Sequence, residues 1–106
     1  MATTKEITDF LTIVKSADTL LIVKTDKNRE TRYRLGITID DQKNIIKGLT
    51  AQNYIKGPIP DYDPTKLEDI WIFKSYKYNN TFYIKLKIIT KNKAKALSCH
   101  IDNIEI

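Results

Sequence analysis

The side chains with chemical potential crowd into the last third of this 106-residue chain: Lys74, Tyr76, Tyr83, Lys85, Lys87, Ser98, Cys99 and His100. Tyr83, Lys85 and Lys87 alternate with Phe82, Ile84, Leu86 and Ile88, and strand periodicity sends the two sets to opposite faces. Lys74 and Tyr76 alternate in the same way with Trp71 and Phe73. One face is expected in the core, and the other gathers lysines that suit phosphates and tyrosines that stack on bases. Metal-free cleavage of RNA needs a base for the ribose 2′-OH, cations around the phosphorane and an acid for the 5′-oxygen. His100 is the one group whose ordinary pKa suits the first task. Tyr83, or a lysine depressed by neighbouring charge, could share the acid–base work.

Each of these residues also has a plainer use. The lysines could solubilise a sheet edge, Tyr76 and Tyr83 could stiffen a hairpin as a cross-strand pair, and His100 could be a structural hydrogen-bonder. Cys99 and His100 are adjacent on a strand and point to opposite faces, which argues against a Cys/His nucleophile. One cysteine makes no internal disulfide, and one Cys with one His is too few for a structural zinc site, so neither metal nor cofactor is expected. Asp61, Asp63, Glu68 and Asp69 surround a proline-rich loop, where solvation is expected rather than a divalent ion. No glycine-rich phosphate loop, Gly-x-Ser-x-Gly, His-Glu-x-x-His or EF-hand pattern occurs.

The charge points the same way. Eighteen basic and thirteen acidic residues give +5, yet residues 1–70 hold eleven of each, so the whole excess lies in residues 71–106. Such a concentrated field favours phosphate-rich or acidic partners. A hydrophobic share of 42% with 29% charged residues describes a single globular domain, 1–106. Without a signal peptide or a long apolar run, a cytoplasmic protein with no membrane partner is expected.

The elements that must position these groups follow from patterning. Residues 5–16 carry Ile7, Phe10, Leu11 and Ile13/Val14 at helical spacing, the pattern of an amphipathic helix. Residues 19–25 read as a strand. Residues 26–34 read as a polar loop or edge, whose Arg29, Arg32 and Arg34 are either solvated or bind phosphate. A helix begins at Thr38 and runs to about Lys47, a short turn from Thr50 carries Tyr54 and Lys56, and residues 57–66 form a surface loop. Strands 69–78 and 81–90 form a hairpin about Asn79-Asn80, pairing Tyr76 with Tyr83, Lys74 with Lys85 and Ile72 with Lys87. A third strand, 95–101, sends Leu97, Cys99 and Ile101 to the core and Ala96, Ser98 and His100 to the other face. The expected fold is α+β: N-terminal helices packed on one face of an antiparallel sheet, the open face bearing Lys74, Tyr83, Lys85, Lys87 and His100.

The runs Ile45-Ile46-Lys47-Gly48-Leu49-Thr50-Ala51-Gln52-Asn53-Tyr54-Ile55-Lys56, Asp69-Ile70-Trp71-Ile72-Phe73, Phe82-Tyr83-Ile84-Lys85-Leu86 and Leu97-Ser98-Cys99-His100 resemble the MqsR family, over about residues 44–101. Members are mRNA interferase toxins of type II toxin–antitoxin systems with a RelE-like fold. The resemblance implies a metal-independent endoribonuclease acting on mRNA, alone or on the ribosome, and silenced by a cognate antitoxin. It places the family's catalytic lysine on Lys56, its tyrosine on Tyr83 and its C-terminal Lys or His on His100. Lys74, Tyr76, Lys85 and Lys87 remain as RNA-binding candidates from the pattern. The family's glutamine after the tryptophan falls on Ile72, which cannot hydrogen-bond to a base. The alternatives are a non-catalytic RNA-binding module, or a protein-interaction domain that uses the same basic face.

Overall fold

The computed structural model describes residues 1–63, 65, 66 and 68–105. Three helices, α1 (Thr4–Ser16), α2 (Asp26–Leu35) and α3 (Ile39–Lys47), accompany five strands: β1 (Thr19–Ile22), β2 (Tyr54–Ile59), β3 (Ile70–Lys77), β4 (Asn80–Thr90) and β5 (Lys93–Ile101). Thr3 with Glu6, and Thr38 with Asp41, form reciprocal capping boxes that start α1 and α3. Among the described residues no helix is long and apolar enough to cross a membrane.

The strands form one sheet in the order β1-β5-β4-β3-β2, giving a compact α+β fold. It is mixed rather than antiparallel: β1 runs parallel to β5, and the other pairs are antiparallel. The long excursion through the helices and three strands lets the chain return beside β1 in the same direction. One face buries the core. Ile7, Phe10, Leu11 and Val14 of α1 and Ile45 and Ile46 of α3 pack on Phe73, Phe82, Ile84, Leu86, Ala94, Ala96 and Cys99. Phe10 stacks on Trp71 with centroids 4.4 Å apart.

Four further expectations are corrected. Residues 26–34 are helical, not a loop or edge; their inward stripe at helical spacing, Asn28 and Thr31, is fully buried but polar. The hairpin turns at Tyr78-Asn79, both at positive φ (52° and 59°), so Lys77 faces Asn80. That shift of two residues keeps every side chain on its face but sets Lys74 opposite Tyr83 and Lys85 opposite Ile72. In β5 a bulge follows Ala96: Lys85 pairs with Ser98 and Leu86 with Ala96, leaving Leu97 extra. The bulge puts Ala96 into the core with Ala94 and Cys99, and keeps Ser98 and His100 on the opposite face.

The fourth concerns residues 54–66. Tyr54 and Lys56 lie on β2 rather than in a helical turn, and residues 57–59 complete that strand; within the remainder of the expected loop, Pro64 lies outside the described residues. Only glycine fits at position 57, where φ is 131° and a Cβ would meet the Ile70 carbonyl oxygen and Trp71 Cα at 2.9 Å.

Candidate active site

The face opposite the core is divided. At one end Ile70, Ile72 and Lys87 are buried (2%, 3% and 4% exposed), although they point away from the main core. Here Asp61 and Glu68 approach the sheet, their carboxylates 2.7 and 3.5 Å from Lys87 Nζ. Burial works against the Lys87 ammonium, but these two carboxylates outweigh it and raise its pKa above the ordinary lysine value. The bond to Lys87 in turn holds the Asp61 pKa down. Lys87, expected on the open RNA-binding face, is instead buried with its ammonium engaged by two carboxylates. Ile72 is likewise covered, so the residue at the expected glutamine position lies beneath the surface.

At the other end the face opens into a cleft of about 510 Å³ lined by Thr25, Asp26, Lys27, Tyr83, Lys85, Ser98, His100, Asp102 and Asn103. Tyr83 and His100 are direct cross-strand partners on its floor, their ring centroids 5.6 Å apart at 30°. His100 is only 7% exposed, and its Nδ1 lies 2.9 Å from the Ile101 carbonyl oxygen. A carbonyl only accepts, so Nδ1 carries the proton and donates, and the lone pair of the neutral ring is on Nε2. Nε2 has no hydrogen-bond partner among the described residues, yet no fully buried side-chain nitrogen or oxygen there lacks one. The lone pair therefore meets the open cleft. Burial lowers the His100 pKa, and the ammonium groups of Lys27 and Lys85 add to that, against the raising effects of the Ile101 bond and Asp102. Tyr83 moves the other way: burial first, then Tyr62 and Asp102, push its pKa up. The cleft floor thus pairs a neutral imidazole with a firmly protonated phenol.

Cations surround the pair. Lys85 Nζ stands between two rings, 5.8 Å from the Tyr83 centroid and 5.3 Å from that of Tyr62. Lys27 arrives from the first turn of α2, where helix geometry leaves backbone N–H groups without intrahelical acceptors and the dipole is positive. Neither Lys27 nor Lys85 has a carboxylate within 4.0 Å among the described residues. Lys74, opposite Tyr83, is tied at 2.8 Å to Asp102 on the rim.

Helix α2 reaches this position through a polar clasp. Beyond Ala96 the outer edge of β5 has no strand partner among the described residues, and side chains take its place. Asn28 Nδ2 donates to the Leu97 carbonyl at 3.3 Å, and Asn28 Oδ1 accepts from the Cys99 amide at 2.8 Å, as a neighbouring peptide group would. Thr31 Oγ1 accepts from the Ile101 amide at 3.0 Å, and Gln42 Nε2 donates to the Cys99 carbonyl at 2.8 Å. Arg32 braces Gln42 at 2.8 Å, Arg29 pairs with Asp26 at 2.6 Å, and Arg34 bonds the Glu105 carbonyl. None of the three arginines lines the cleft.

The structure therefore brings together Tyr83, His100, Lys85 and Ser98, with Lys74 at the rim. It does not bring in Lys56 or Tyr76. Lys56 is exposed on edge strand β2 and shares the register row Lys56–Ile72–Lys85–Ser98, two strands from Lys85. Tyr76 sits at the hairpin end, opposite Thr81 and 70% exposed. Sequence reasoning missed Thr25, Lys27, Asp102 and Asn103. The signal for the first two was the pair Thr25 and Asn28: Thr25 caps α2 by accepting from the Asn28 amide. Cys99 is fully buried and its thiol pKa is pushed up to about 12, which keeps it protonated and inert. No protein-family model matches the chain, and neither does any curated protein or solved structure.

Proposed function

We propose that the chain is a metal-independent endoribonuclease that cleaves single-stranded mRNA by attack of the ribose 2′-OH. The observation that carries this reading is the buried His100, with its Nε2 lone pair open to a cleft that also holds Tyr83 and Lys85. In this mechanism Nε2 takes the proton from the 2′-OH as the 2′-oxygen bonds to phosphorus. The bond from phosphorus to the 5′-oxygen breaks, and Tyr83 gives its phenolic proton to the leaving oxygen. The products are a 2′,3′-cyclic phosphate and a 5′-hydroxyl. Lys85, Lys27 and the first-turn amides of α2 oppose the charge that builds on the phosphorane. Lys56, outside the cleft, suits a flanking phosphate rather than the reacting one.

The resemblance of residues 44–101 to the MqsR family supports the finer part of the proposal. On that basis the fold is RelE-like, the setting is the cytoplasm, and the enzyme is a type II toxin whose cognate antitoxin silences it, with the ribosome as a further partner. The test is end-group analysis of mixed-sequence RNA incubated with the purified protein in excess EDTA. Fragments bearing 2′,3′-cyclic phosphate, lost in the His100→Ala and Tyr83→Phe variants, are expected. RNA bound with steep salt dependence but left intact, in buffer and on translating ribosomes, would instead identify a non-catalytic module on the same face.

A further inference from the structure

Tyr62 belongs to none of the groups assigned so far, and its ring is 90% exposed. A lone exposed tyrosine is unremarkable in itself; this one is presented by an anchored backbone. Asp61, directly before it, places one carboxylate oxygen 2.7 Å from the buried Lys87 Nζ and accepts with the other from the Asp63 amide at 3.1 Å. Asp63 in turn accepts from the Thr65 amide and hydroxyl at 2.9 and 2.7 Å. Burying a lysine beside carboxylates gains little stability over an apolar contact and is best repaid in a fixed conformation. What it anchors here is the backbone on either side of Tyr62. Lys85 Nζ lies 5.3 Å from that ring and 5.8 Å from the ring of Tyr83.

We propose that Tyr62 is a nucleobase-stacking subsite at the mouth of the cleft, with Lys85 between the two rings holding the phosphate that links the stacked base to the nucleotide over Tyr83 and His100. This subsite rests on the ribonuclease reading for its occupant, a single-stranded RNA. The chemistry of an accessible π-face beside an ammonium with no carboxylate within 4.0 Å among the described residues is that of sequence-tolerant stacking platforms, in which each base is held by a ring and each phosphate by a cation. Bases unstacked from their neighbours fit this arrangement and a duplex does not, so the subsite selects single strands.

The experiment measures binding of the full chain to a fluorescein-labelled mixed-sequence hexanucleotide with 2′-O-methyl riboses, which offers no 2′-OH to react. Tyr62→Ala is expected to weaken binding by about tenfold to a hundredfold, and Tyr62→Phe to stay within about threefold of the parent because the π-face is kept. The salt dependence of both variants should match the parent, since no charge is removed, whereas Lys85→Ala should flatten it. Equal affinity of Tyr62→Ala and the parent overturns the subsite while leaving cleavage of unmodified RNA, and with it the ribonuclease, standing. Tyr62-dependent binding without cleavage of unmodified RNA, in buffer and on translating ribosomes, overturns the ribonuclease and leaves the subsite. No binding of the probe by the parent overturns the subsite whatever the cleavage assay shows, and turns the Tyr62 face toward a protein partner.

Discussion

At the scale of single residues, the proposed chemistry turns on two opposite pKa shifts in one cleft. Burial lowers the pKa of His100 and raises that of Tyr83, so base and acid are both in their working protonation states at neutral pH. Cleavage should therefore rise with pH along a limb centred below the 6.5 of ordinary imidazole. It should then stay level through neutrality, because Tyr83 deprotonates only above the usual phenol value of 10.0. An acidic limb centred above 6.5 would contradict the burial of His100. The same shift has a folding consequence. His100 binds a proton more readily in the unfolded chain, so its contribution to stability is present above the unfolded pKa near 6.5 and is lost as pH falls through the lower folded value. Urea midpoints measured between pH 7 and pH 5 should fall less steeply in His100→Gln than in the parent.

At the scale of elements, the cleft depends on α2, and α2 is held by polar side chains rather than by apolar burial. Asn28 stands in for a strand along the open edge of β5, so Asn28→Ala should destabilise the fold by roughly 1–3 kcal/mol for each backbone group left unpaired. Asn28→Asp should do no better, because a carboxylate cannot donate to the Val23 and Leu97 carbonyls that Asn28 Nδ2 serves. Denaturant titration of both variants tests this. The same clasp explains what the sequence hid. Helices α1 and α3 announce themselves through apolar spacing and Thr caps, and the strands through alternation. The inward stripe of α2 is Asn28 and Thr31, which hydrophobic periodicity cannot register. The hairpin register slipped by two because Tyr78, rather than Asn80, joins Asn79 at positive φ, a choice that residue preference disfavours. A slip of two preserves the faces, which is why Tyr83, Lys85 and His100 are legible as neighbours in the sequence alone. Lys27 and Asp102 were not, since they reach the cleft from a helix start and a turn after β5.

At the scale of the whole molecule, the +5 excess in residues 71–106 overstates the free positive field. Lys87 is spent on Asp61 and Glu68, and Lys74 on Asp102, which leaves Lys85 and Lys27 as the cations of the cleft. Phosphate contacts set the slope of affinity against salt. Lys85→Ala and Lys27→Ala should each lower that slope by about one, as the loss of one phosphate contact requires. Lys87→Ala should leave the slope unchanged and instead expose the chain at Asp61 and Glu68 to proteolysis, because it frees both carboxylates from the sheet. Equal slopes for the parent and Lys85→Ala would remove that residue from the substrate path.

The central claim, that His100 is the base of a metal-free ribonuclease, is tested most directly by single-turnover cleavage of a single-stranded RNA in excess EDTA, comparing the parent with His100→Ala. The mechanism predicts cleavage by the parent and a rate roughly 10²–10⁴-fold lower in the variant, the usual worth of a general base. Cleavage of equal rate by both proteins would contradict it.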